Sequence, residues 1–89
     1  MCSQSEGKLY AAGDWDRIEI NPDELWIDVD IGNSTPGAPE VRLRLRENNG
    51  AEKIDFRSTS TFWEGEKFRV GVRSINVREL TAELCITHR

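Results

Sequence analysis

The sequence predicts an all-β domain, a five- or six-stranded antiparallel meander curled into a small barrel or half-sandwich. Apolar residues alternate with polar ones over residues 25–31 and 41–46, which is the period of a half-buried strand. Turn-forming segments separate the apolar runs, and only residues 77–84 could follow a helical period instead. The chain has 89 residues, which is enough for one domain with its own core.

The strands are assigned in chain order from their apolar positions. The first contains Ile18 and Ile20, and the alternating runs 25–31 and 41–46 follow. A further strand begins at residue 54 and leads toward residue 62, and another covers residues 68–72. Residues 79–87 favour a strand because they are rich in Thr, Ile and Cys, with a helix as the alternative. The predicted core comprises Ile18, Ile27, Val29, Leu43, Leu45, Ile54, Phe56, Phe68, Val70 and Leu84.

Turn residues predict how neighbouring strands align. Residues 21–24, Asn-Pro-Asp-Glu, suit a type I turn that places Arg17 opposite Asp28. The Asn-Gly pair at residues 49–50 suits a type I′ hairpin that places Arg44 opposite Asp55. The longer loop 32–39 lets Trp26, Asp28 and Asp30 face Arg46, Arg44 and Arg42, respectively. Arg17, Asp28, Arg44 and Asp55 are thus expected in one outward row, and the break in alternation near residues 73–74 predicts a β-bulge.

Charge divides the chain into two parts. Residues 1–40 carry a net charge of −7 and residues 41–89 carry +3, for a total of −4. We expect residues 1–13 to be a flexible N-terminal segment and residues 14–89 to be the single β domain. The acidic part either seeks a basic partner or is neutralised by the other half after folding.

The two cysteines and the hydropathy bear on location. Cys2 and Cys85 match no zinc, thioredoxin-like or multi-bridge spacing, so a reducing, cytoplasmic location is predicted. The alternative is that Cys2, followed by Ser-Gln-Ser, is the start of a processed lipoprotein. No apolar run has the length of a membrane helix, so no membrane association is expected.

Catalytic and metal-binding patterns find little support. The only histidine is His88, next to the C-terminal residue, which gives no Ser/His or Cys/His arrangement. Neighbouring arginines are expected to keep both Asp28 and Asp30 ionised, which does not suit an acid and base pair. Asp14, Asp16 and Glu19 match no calcium loop, and no glycine-rich phosphate loop occurs. The sequence therefore predicts no enzyme, no metal and no cofactor.

The first candidate function is a non-enzymatic protein-interaction module, such as a small acidic inhibitor or accessory subunit that binds a basic protein surface. Tryptophan outside the core pattern commonly anchors interfaces. The alternative for these tryptophans is a contact inside the domain, such as Trp26 on Arg46. The candidate partner-binding residues are Trp15, Trp26, Trp63, Asp14 and Asp16.

The second candidate is a small β-barrel that binds nucleic acid or phosphate, with Trp63 or Trp26 as a stacking platform. The predicted alignments bring four arginines into one cluster, and like charges at opposite positions call for an anionic ligand. The alternative is that these side chains spread into water. The cluster comprises Arg42, Arg57, Arg69 and Arg73. Open edge strands also leave pairing with a second copy of the chain as an expectation.

Overall fold

The structure, a computed structural model, describes residues 7–32 and 39–89. Within these ranges the chain forms eight antiparallel strands and no helix, which confirms the all-β class. The strands close no barrel, and their number exceeds the predicted five or six. Their bounds are β1 Gly7–Ala11, β2 Trp15–Ile20, β3 Asp23–Gly32, β4 Glu40–Glu47, β5 Lys53–Arg57, β6 Phe62–Glu64, β7 Phe68–Asn76 and β8 Thr81–His88.

Two four-stranded sheets make up the domain. Sheet A has the strand order β1-β8-β7-β6, and sheet B has the order β2-β3-β4-β5. After β1 in sheet A, the described chain forms all of sheet B as one meander and returns to sheet A for β6, β7 and β8. The predicted meander is therefore correct for sheet B. In sheet A, by contrast, β1 pairs with β8, the last strand.

The core consists of alternate side chains from both sheets. Strands β3 and β4 bury every second residue from Leu25 to Ile31 and from Val41 to Leu45. Phe68, Val70 and Val72 of β7 are buried with Leu84 of β8. The predicted core is thus confirmed for most of its members, and Ile18 packs partly buried against it. Two members are wrong: Ile54 and Phe56 are 57% and 59% exposed.

The alignment of β3 with β4 is as predicted. Trp26 lies opposite Arg46, Asp28 opposite Arg44, and Asp30 opposite Arg42. Both strands alternate strictly, so a slip of one residue would turn their charged side chains into the core. The β-bulge is also confirmed, because the pairing of β7 with β8 shifts between Val72 and Ser74.

The two outer alignments of sheet B differ from the prediction. A two-residue turn, Asn21-Pro22 with a cis peptide bond, pairs Ile20 with Asp23 and so places Arg17 opposite Trp26. Asp55 lies opposite Leu43, not Arg44, which reverses the two faces of β5. The predicted row of four charges is therefore wrong beyond Asp28 and Arg44, and the observed row is Trp15, Asp28, Arg44 and Ile54.

The two ends of the chain meet in sheet A. Gly7–Ala11, assigned above to a flexible segment, forms β1 along β8, and Tyr10 is buried in the core. Residues 1–6, including Cys2, lie outside the described residues. Residues 81–88 form a strand, which confirms the β interpretation of that region. Cys85 in β8 is disulfide-bonded. The described residues contain no helix that could cross a membrane.

Candidate functional site

Trp15 and Trp26 share the outward face of sheet B. Trp15 stands opposite Asp28, and Trp26 is two residues before Asp28 on the same strand, so both tryptophans project from one side. Trp15 is 66% exposed, and Trp26 is half-buried. The structure thus brings these two predicted partner-binding residues onto one surface.

Arginines flank Trp26 on both sides. Arg17 of β2 and Arg46 of β4 lie directly opposite it on its two neighbouring strands. The Arg46 guanidinium is 5.9 Å from the centroid of the Trp26 ring, which is a cation–π contact. Arg17 instead donates to Glu24 at 2.5 Å. We call the set Trp15, Arg17, Trp26 and Arg46 the tryptophan surface.

Arg46 has no carboxylate within ion-pair distance among the residues that the structure describes. The neighbouring arginines of β4 differ in this respect, because Arg42 pairs with Asp30 at 3.2 Å and Arg44 pairs with Glu52 at 3.2 Å. The Arg46 guanidinium therefore contacts the ring face of Trp26 and has no acidic partner in the described part of the chain. The tryptophan surface thus offers one guanidinium to a partner.

Asp14 and Asp16 are used inside the domain. The carboxylate of Asp14 accepts the backbone N–H of Ala11 at 2.8 Å, which closes the turn between β1 and β2. Asp16 accepts the hydroxyl of Tyr10 at 2.7 Å and the Lys8 ammonium at 2.9 Å. Asp16 therefore joins the two sheets, and Asp14 is engaged in the turn between them.

Titration behaviour follows from the contact between Asp16 and Tyr10. Partial burial by itself raises the pKa of Asp16, but the hydrogen bonds from Tyr10 and Lys8 outweigh burial and lower it. Burial, and then the hydrogen bond to Asp16, raise the pKa of the Tyr10 hydroxyl well above its usual range. The carboxylate is thus held in its charged form beside a neutral phenol.

Trp63 does not belong to the surface. It lies in the short strand β6, is only 8% exposed and packs in the core. Three residues are too few to show an alternating pattern in the sequence, so the side on which Trp63 lies could not be read from periodicity.

The four arginines of the predicted anion site are not brought together. Arg42 is on the outward face of sheet B. Arg57 is on the edge strand of that sheet and projects from the opposite face. Arg69 and Arg73 are in sheet A. Each has a carboxylate partner: Arg42 has Asp30 at 3.2 Å, Arg57 has Asp55, Arg69 has Glu64 at 2.6 Å, and Arg73 has Glu83 at 3.1 Å.

The outward face of sheet A has a shallow pocket of about 270 Å³. Phe62, Gly71 and Cys85 share one row across its floor, and Arg69 lies over the Phe62 ring at 4.9 Å from the centroid. Arg69 is also paired with Glu64, so its charge is already compensated.

His88 links the sheets. Its Nε2 atom lies 2.8 Å from the carboxylate of Asp23, and its ring centroid lies 5.1 Å from that of Phe68. No group of three or more His, Cys, Asp or Glu side chains in the described ranges is arranged to hold a metal ion. The contacts of His88 are those of a residue that holds β8 against β3.

Comparison of the chain with protein-family models, with curated proteins and with solved structures finds no match.

Proposed function

We propose that this domain is a non-enzymatic protein-interaction module that binds its partner through the tryptophan surface. The observation that carries the proposal is the exposure of Trp15, at 66%, beside a second outward tryptophan with an arginine on each side. Tryptophan and arginine are the residue types most enriched at the energetic centres of interfaces. An exposed side chain of this size contributes to binding when a partner covers it.

The contacts of the acidic side chains affect the kind of partner that we propose. Asp14 and Asp16 already accept hydrogen bonds from β1, which weakens the case for them as the main contacts with a basic protein surface. The tryptophan surface instead offers Arg46, so the partner region is expected to be apolar with at least one carboxylate. Roles as inhibitor or accessory subunit both remain compatible with such a surface.

Affinity capture from a native lysate, with the immobilised full chain as bait, tests the proposal. Trp15→Ala and Arg46→Glu are expected to lose a protein that the unchanged chain retains. Leu9→Ala is the matched control, since Leu9 is 65% exposed but lies in the other sheet. Equal capture by Trp15→Ala and by the control would refute the proposal.

Binding of single-stranded nucleic acid is the second candidate. It rests on Arg46 and Trp26, which offer a cation and a ring face side by side. Binding to a labelled oligonucleotide should then weaken steeply as salt is raised, and Arg46→Glu should abolish it. Nuclease treatment of the lysate before capture separates the two candidates, because a direct protein partner survives it.

A different observation bears on the compartment that we propose. Cys85 is disulfide-bonded, and disulfides persist mainly in oxidising compartments. The cytoplasmic location remains a prediction from cysteine spacing, and this bond argues against it.

A further inference from the structure

Strand β5 is an open edge of sheet B. It pairs with β4 on one side, and no strand of the described residues pairs with its other side. None of its backbone groups takes part in a hydrogen bond outside the sheet ladder within the described ranges. An edge of this kind presents a row of N–H and C=O groups that can pair with another strand.

The side chains of β5 form two sets. Ile54 and Phe56 project from the outward face and are 57% and 59% exposed. Lys53, Asp55 and Arg57 project from the other face, so charges of alternating sign follow one another along this edge. Both sets lie at the opposite edge of sheet B from Trp15.

The charges of β5 are unequally satisfied. Asp55 and Arg57 pair with each other, and the hydrogen bond that Arg57 donates to Asp55 raises the pKa of Arg57. Lys53 is exposed and has no carboxylate within ion-pair distance in the described part of the chain. An added strand is therefore favoured when it brings a carboxylate next to Lys53.

We infer that β5 binds β5 of a second copy of this chain, antiparallel and with the two-fold axis at Ile54. Each Lys53 then faces Asp55 of the second copy, and the two Ile54 side chains meet on the outward face. The pairing joins two four-stranded sheets into one continuous sheet. This surface is separate from the tryptophan surface, so the inference does not depend on the proposed function.

Charge selects this alignment over its neighbours. An axis at Asp55 would place Lys53 opposite Arg57 and the two Asp55 side chains opposite each other, and like charges at such positions are destabilising. An axis at Phe56 would give Arg57 a second carboxylate and leave Lys53 opposite Thr59. Of these three alignments, the axis at Ile54 alone places a carboxylate opposite Lys53. The ion pair between Asp55 and Arg57 within each copy is kept.

The other edge of sheet B is less suited to pairing. On β2, the carboxylate of Asp16 accepts the backbone N–H of its neighbour Arg17 at 2.8 Å, so a backbone donor is already occupied. Asp16 is also held by Tyr10 and Lys8 of β1. The contact of β1 with this strand thus hinders the approach of a second chain, whereas β5 has no such contact in the described part of the chain.

Sedimentation equilibrium of the full chain over a range of concentrations tests the inference. The mass of the unchanged chain should rise from 10.2 kDa toward twice that value. Lys53→Asp and Asp55→Lys should each weaken dimerisation about tenfold, since two opposite-charge pairs become like-charge pairs. An equimolar mixture of the two variants should dimerise again, because every Asp then faces a Lys.

Two further variants serve as controls. Ile54→Asp places two carboxylates at the axis and should leave only monomer. Trp15→Asp makes the same kind of change at the opposite edge of the same sheet and should leave the dimer intact. Thermal unfolding of each variant verifies that it is folded. A chain that stays monomeric up to about 1 mM, or a dimer that survives Ile54→Asp, or a mixture that fails to restore dimerisation, would overturn the inference.

Discussion

The carboxylate of Glu47, at the end of β4, accepts the backbone N–H of Phe68, at the start of β7, at 2.8 Å. The same carboxylate accepts the N–H groups of Lys67 at 2.6 Å and of Glu66 at 3.0 Å. One side chain of sheet B therefore satisfies three consecutive donors of the turn that leads into sheet A. Hydrogen bonds to an ionised acceptor are stronger than those between neutral groups. This contact therefore fixes the position of the end of β4 relative to the start of β7.

Replacement of this carboxylate is expected to destabilise the domain. Glu47→Ala leaves three backbone donors to water and should lower the free energy of unfolding by about 2 kcal/mol, which corresponds to a decrease in Tm of roughly 10 °C for a domain of this size. Glu66→Ala is the control, because the backbone contact is kept and only an exposed side chain is removed. Similar Tm values for the two variants would show that the Glu47 contact contributes nothing.

Gly65 is required by the close approach of Glu47 and Trp63. A Cβ atom at this position would lie 2.3 Å from the Trp63 ring and 2.7 Å from both carboxylate oxygens of Glu47. Neither neighbour is free to move, since the ring is buried and the carboxylate is bound. Gly65→Ala should therefore cost about 1 to 3 kcal/mol.

Urea unfolding of Gly65→Ala beside Gly32→Ala is the appropriate measurement. A Cβ atom at Gly32 meets no atom of the described residues within 4 Å, so that variant isolates the effect of the backbone change from that of the clash. Equal unfolding midpoints for the two variants would contradict the steric argument.

The sequence was sufficient to predict the centre of sheet B. Strands β3 and β4 alternate so strictly that the outward position of Trp26 could be predicted from the apolar pattern, and the opposite charges of the two strands indicated their alignment. Asp28 lies opposite Arg44 as expected from this charge match, and their side chains are 3.8 Å apart.

The faces of β5 could not be predicted, because a contact from outside the hairpin decides them. Asn48 adopts a positive φ of 53°, donates its backbone N–H to the Glu24 carbonyl and accepts the Glu24 N–H. The turn therefore closes between Glu47 and Gly50, one residue before the predicted Asn-Gly turn. This shift places Ile54 and Phe56 on the outward face of sheet B, where they are exposed. Ile54 is the residue at the two-fold axis of the proposed dimer.

Likewise, the N-terminal charges could not be assigned from composition. The segment around Asp16 is acidic, and its composition left open both a basic partner and neutralisation within the folded domain. The partner of Asp16 is Tyr10, which becomes a neighbour only because β1 pairs with the last strand of the chain. Contacts between the two ends of a chain leave no local pattern in the sequence.

Acid is expected to weaken the contact between Asp23 and His88. The hydrogen bond from His88, followed by that from Asn48, lowers the pKa of Asp23 below its usual value of 3.8. A carboxyl group whose pKa is lower in the folded state stabilises the fold above its unfolded pKa and loses this contribution as the pH falls through its folded pKa. Tm should therefore fall as the pH drops below about 4.

Thermal unfolding between about pH 2.5 and pH 6 separates this effect from general acid denaturation. Asp23→Asn removes the titrating group, so its Tm should be lower than that of the unchanged chain at pH 6 and should approach it at the acid end. A difference in Tm that stays constant across this range would mean that the charge of Asp23 is not stabilising. For His88→Ala, the difference in Tm from the unchanged chain should also become smaller toward acid pH. A constant part of that difference should remain, because the packing on Phe68 is lost at every pH.

The tryptophans should differ in their effect on stability according to their burial. Trp63 is 8% exposed and packs in the core, whereas Trp15 is 66% exposed on the outward face of sheet B. Trp63→Ala should cost about 3 to 5 kcal/mol, which is comparable to the whole stability expected of a domain this small, about 3 to 5 kcal/mol. Trp15→Ala should change stability by no more than about 0.5 kcal/mol. Circular dichroism at 25 °C should therefore show Trp63→Ala largely unfolded and Trp15→Ala native, with Trp63→Phe between them. Unfolding of Trp15→Ala would mean that Trp15 supports the fold, and any loss of partner capture by that variant would no longer identify a binding surface.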